Sequence, residues 1–138
     1  MSTKKAFSLL EILIVLAILG LIASIASPII KNTRDKANYE VAVLSLAEVA
    51  KSMEKHYLEK GKYPVFSDWN QLSSAESPLR EYTSDVPEQD PWGRPYVIAD
   101  STENSYTLEG LSAPKREKDY PDFSYSDGLK FKQKGKKN

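Results

Sequence analysis

Between Phe7 and Ile30 the only charged side chain is Glu11, set in a run of apolar and small residues. An acid inside a hydrocarbon span costs roughly 2.5 to 3.5 kcal/mol even on insertion scales, so it calls for a partner. No cation lies between residues 7 and 30 to provide one. Cleavage just before Phe7 would create one: the new α-amino group would sit one helical turn from Glu11 of its own chain, or beside Glu11 of a neighbour. Two other readings use the same residues. The carboxyl stays protonated or snorkels to the interface, or the apolar run is a secretory signal cut after the small residues Ala23-Ser24-Ile25-Ala26. The rest of the chain has little catalytic material. With no cysteine and the single histidine His56, thiolate metal sites, a zinc cluster and a histidine-based triad are all unexpected.

The elements that must carry Glu11 follow from charge and period. Met1 to Ala6 is a short polar leader with Lys4 and Lys5; Lys31 and Arg34 flank the far side of the apolar run. At about 1.5 Å per residue, that run is long enough as a helix to cross a core of about 30 Å. Pro28 has no amide proton, so it is expected to kink the helix without ending it. Beyond Lys31 the apolar residues Tyr39, Val43, Leu46, Ala50, Met53 and Tyr57 recur three and four apart, widened by Ala42 and Val49. That is a helix with one buried face, ending at the C-cap Gly61, with Pro64 just after it. The stripe is core for a domain lying on the helix. His56 reads as a surface or boundary residue without chemistry.

After the helix comes a polar stretch, read as loop with a helical turn in which Trp69 and Leu72 anchor on the helix. Asp90-Pro91-Trp92-Gly93-Arg94-Pro95-Tyr96 is a compact turn, two prolines fixing backbone angles and Gly93 permitting a positive φ. Val97-Ile98-Ala99, Ser105-Tyr106-Thr107-Leu108 and Phe123-Ser124-Tyr125 read as short strands of an antiparallel sheet. Lys130 to Asn138 is a basic tail expected to fray; its lysines with one aromatic, Phe131, do not make a nucleic-acid site. The formal charge of the whole chain is zero.

Lys4-Lys5-Ala6-Phe7-Ser8-Leu9-Leu10-Glu11-Ile12-Leu13-Ile14-Val15 resembles the processing signature of type IV prepilins and type II secretion pseudopilins. The resemblance implies a prepilin peptidase that cuts between Ala6 and Phe7 and N-methylates Phe7. It assigns Glu11 and Pro28 to filament assembly and leaves Gly20 where the helix loosens in filaments. Ala6 departs from the usual glycine before the cut. Losing the leader removes two lysines and takes the formal charge from zero to −2.

Tyr63-Pro64, the Asp90 to Tyr96 turn and Tyr106-Thr107-Leu108 resemble the G-type major pseudopilin of type II secretion systems. The implied fold is α+β and type IV pilin-like, a long N-terminal helix against a small antiparallel sheet. Its parts are a leader 1–6, a transmembrane and assembly helix 7–30, and a periplasmic head 31–138. The head divides into an amphipathic helix 31–60, a variable loop 61–89, and a sheet with C-terminal loop 90–138. The implied protein is not an enzyme. It sits in the bacterial inner membrane by a single pass, self-associates into a helical periplasmic filament with minor pseudopilins and an assembly platform, and supports export of folded proteins. A type IV pilus subunit is the alternative. No cofactor is required. Calcium orders the C-terminal loop in G-type relatives through an Ala-Asp-Gly segment and a later acid. Here Ala113-Pro114-Lys115 stands in that segment, and Asp119, Asp122 and Asp127 follow as oxygen side chains that either could bind calcium or are simply solvated.

Overall fold

The computed structural model describes residues 7–135; Ala6, half of the expected cleavage site, lies outside them. Helix α1 runs Leu9–Lys60, 52 residues, and continues through Pro28. It is long and apolar enough to cross a membrane. The chain forms two compact units, one up to Asp35 and one from Lys36 onward. In the first unit every large apolar side chain from Phe7 to Ile30 is exposed.

The second unit holds a core. Tyr39, Ala42, Leu46, Val49, Ala50 and Met53 on α1 are buried with Tyr63, Trp69, Leu72, Tyr96, Tyr106, Leu108 and Phe123. The stripe thus has the expected period, with one correction at its end. Tyr57 is 40% exposed and His56 only 8%, so the buried face closes on the histidine. His56 Nδ1 donates to the Lys62 carbonyl at 2.7 Å, which satisfies the ring where the chain doubles back. Gly61, at φ 78°, ends α1 and donates to Tyr57 O at 2.8 Å, the left-handed cap expected of it.

Residues 61–89 contain a short helix α2 (Trp69–Ser73), capped by Asp68, and a 3-10 turn over Pro78–Glu81. Arg80 fastens this segment by donating to the carbonyls of Ser73, Ser74 and Ser84. The sheet is a four-stranded antiparallel meander of β1 (Val97–Ser101), β2 (Tyr106–Gly110), β3 (Phe123–Ser126) and β4 (Lys130–Gln133). The fourth strand corrects the expectation of a frayed tail. β4 pairs Phe131 with Tyr125 and Gln133 with Phe123, and the two rings of the first pair lie 5.0 Å apart. On β2 the alternate residues Tyr106, Leu108 and Gly110 face the core. Gly110 pairs with Phe123, and a Cβ at position 110 would overlap that ring.

Candidate functional site

Ser8 starts α1. Its Oγ accepts from Glu11 N at 3.2 Å and its carbonyl from Ile12 N at 3.2 Å. Glu11 therefore occupies the third helical position of a Ser-x-x-Glu capping pattern, beside the positive end of the helix dipole. The signal for this helix start is Ser8-Leu9-Leu10-Glu11, which sequence reasoning missed. Phe7 and Glu11 line one shallow groove with Ile14 and Val15. The residue whose amine cleavage would expose thus lines the same groove as the acid, and among the described residues Glu11 makes no ion pair. Further along, proline at 28 leaves the Ser24 carbonyl without its helical donor. Hydroxyls bond back to the helix on both sides, Ser24 to Leu21 O at 2.7 Å and Thr33 to Ile29 O at 3.0 Å.

In the head, the Asp90 turn is built around a buried carboxylate. Asp90 Oδ1 accepts from Trp92 N and Arg94 N, and Oδ2 accepts from Arg94 Nε at 2.9 Å. Gly93, at φ 82°, donates to Asp90 O, and the Arg94 guanidinium lies over the Trp92 ring at 5.2 Å. Tyr96 leaves the turn into the core, 4.9 Å from the Trp69 ring, with its hydroxyl donating to Ala42 O. Burial, then the Asp90 charge, push the Tyr96 hydroxyl up to about 12. The turn is thereby pinned to α1.

A second fastening was invisible in the sequence. The Glu54 carboxylate on α1 accepts from Tyr63 OH at 3.1 Å, Tyr106 OH at 2.9 Å and Gly128 N at 2.6 Å. One acid joins the helix to the segment after it, to β2 and to the β3–β4 turn. Burial and then the hydrogen bond to Glu54 push Tyr63 up to about 12, and the same causes raise Tyr106. The stacked rings of Tyr57 and Tyr63, 4.6 Å apart, cover this cluster.

An exposed apolar segment opening on one acid, joined to a small sheet domain, suits an assembling subunit, and comparisons with known proteins agree. Residues 1–27 match the model of the prokaryotic N-terminal methylation motif. Residues 29–119 match that of type II secretion system protein G. The chain belongs to the type II secretion system protein G family. Two relatives named type II secretion system core protein G are 30% identical (Aeromonas hydrophila) and 28% identical (Klebsiella pneumoniae). Those alignments cover 69% and 71% of this chain and 72% and 76% of the relatives. A type IV major pilin of Neisseria gonorrhoeae is 34% identical over 60% of this chain and 51% of its own length.

The calcium expectation carried by the protein G resemblance meets a different arrangement. Asp119 pairs with Arg116 at 3.0 Å in solvent. Asp122 Oδ1 accepts from Ser112 N at 2.7 Å, and Asp127 sits in the β3–β4 turn, where its amide donates to Tyr106 O. Among the described residues, no three acidic or histidine side chains converge as a metal group. Pro114 brings no side-chain oxygen, and Lys115, at φ 62°, places a cation in the segment. Among the described residues the three aspartates are not brought together as a side-chain ligand group.

Proposed function

We propose that this protein G family member is a structural subunit of a type II secretion pseudopilus, a periplasmic filament that supports export of folded proteins. The observation that carries this is the exposure of every large apolar side chain from Phe7 to Ile30. Fully covering each such side chain gains about 1.5 to 3 kcal/mol, so the segment gains from lipid first and from copies of itself afterwards. A prepilin peptidase would cut before Phe7 and methylate the new amine. The subunit would wait in the inner membrane as a single pass with its head in the periplasm. On addition to the filament, Glu11 would pair with the Phe7 amine of an adjacent subunit and set axial register. The role of Glu11 is electrostatic matching rather than catalysis. Minor pseudopilins and an inner-membrane platform would be its partners.

The test is a clean deletion in the native organism, comparing periplasmic with extracellular protein and imaging surface fibres. Cargo trapped in the periplasm with pili intact supports this reading. Normal secretion with lost pili would instead favour the type IV pilus reading, for which the similarity to the Neisseria gonorrhoeae pilin is the specific support.

A further inference from the structure

The loop between β2 and β3, residues 111–122, crosses from one strand to the next without regular structure, yet its backbone groups are held. Ala113 is fully buried. Its amide donates to Tyr120 O at 3.0 Å, and its carbonyl accepts from Arg116 N at 3.0 Å. Tyr120 N donates to Arg116 O at 2.8 Å. At the base of the loop two carbonyls, Leu111 O and Ser112 O, turn toward the Asp90 turn. The group that meets them there is the Arg94 guanidinium, with Nη2 at 2.7 Å from Ser112 O and 3.4 Å from Leu111 O. Its charge is balanced from behind by Asp90, whose side chain is only 3% exposed.

We propose that Arg94 is a built-in cation that closes this loop, so that the head folds and holds its C-terminal loop without calcium. A metal ion ordering such a loop gathers carbonyl and carboxylate oxygens around one positive charge. Here a guanidinium gathers the two carbonyls, and its balancing acid comes from the neighbouring turn instead of the loop. A planar fork anchored at Nε to one group and donating through Nη2 to others suits arginine and no other side chain. Asp122 Oδ1 accepts from Ser112 N at 2.7 Å, which ties the base of the loop to its far end. The same device appears a second time in the molecule, where Arg80 closes residues 73–84 through three carbonyls. The inference concerns how the head is held and does not depend on which filament the subunit enters.

The experiment uses the full chain in detergent micelles, stripped with a calcium chelator and then given about 5 mM calcium, above the affinity range of extracellular calcium modules. Melting and amide exchange of residues 111–122 are read in both states. The expected result is the same melting temperature within about 1 °C and unchanged exchange, a shift too small for ligand-linked stability. A rise of several degrees, or slowed exchange in the loop on adding calcium, would overturn the proposal. Arg94→Gln is expected to speed exchange of the loop amides by about tenfold or more, unrescued by calcium. Exchange as slow as in the unaltered chain would show that Arg94 is not the fastener. Should R94Q fail to fold, Arg94→Lys, which keeps the charge but loses the fork, is expected to give the same fast exchange.

Discussion

Removing the Glu54 carboxylate is the sharpest test of how the head is held on its helix. In Glu54→Ala the two tyrosine hydroxyls and the Gly128 amide lose their shared acceptor. Hydrogen bonds to a charged group contribute about 1.5 to 3 kcal/mol each, but three full shares would overstate the loss. Gly128 N lies at an exposed turn, where water takes over. Tyr106 OH keeps a long contact to Ala50 O at 3.4 Å. Tyr63, only 6% exposed, has no such substitute among the described residues and carries the largest share. The expected cost is about 2 to 4 kcal/mol, a fall in melting temperature of roughly 10 to 20 °C for a head of this size. Urea denaturation of the full chain in micelles, followed by circular dichroism and tyrosine fluorescence, measures it. Combining the change with Tyr106→Phe should give a coupling of about 1 kcal/mol or more. A single variant within about 0.5 kcal/mol of the unaltered protein would refute the idea that this carboxylate joins three segments.

Gly110→Ala should destabilise the head by about 1 to 3 kcal/mol, since the new methyl overlaps the Phe123 ring; chemical denaturation reads it. Glu11→Gln keeps the helix-start pattern, which accepts either residue, and removes only the charge. Membrane insertion and cleavage should stay near normal while fibre yield falls on the order of tenfold or more, as expected for an acid–amine pair in apolar surroundings. Normal fibres from E11Q would leave helix capping as the only role of Glu11. Alkaline titration should destabilise the head. Tyr63 and Tyr96 keep their protons up to about 12 when folded, against 10.0 for an ordinary tyrosine. The unfolded chain therefore loses protons first. Their contribution is complete below pH 10, falls as pH rises, and is gone above about 12, measurable as a declining urea midpoint.

The parts of this fold that follow a local rule were legible in the sequence. Glu11 stood out because nothing near it in the chain could neutralise it. The helix stripe came from its period, Gly61 from its position after the last apolar residue, and the Asp90 turn from its prolines and Gly93. What stayed hidden depends on partners distant in sequence. Lys130-Phe131-Lys132-Gln133 carries one aromatic among polar residues and reads as a tail. It becomes a strand only because β3 offers an unpaired edge and Tyr125 meets Phe131. Glu54 carries no local signal, because its partners come from residues 63, 106 and 128. His56 was misplaced because a carbonyl from the returning chain satisfies its ring, which no helical period reveals. The three aspartates were grouped by type and nearness in the chain, whereas in the fold each answers to a different neighbour.

In the proposed assembly route the apolar segment survives processing and becomes the assembling end of the mature subunit. Intact-mass and N-terminal peptide mass spectrometry of the chain recovered from native membranes reads where the mature subunit begins. The expected chain begins at Phe7 and carries one added methyl group on its amine. A chain beginning after Ala26 would contradict it, because both Glu11 and the segment that needs covering would be gone.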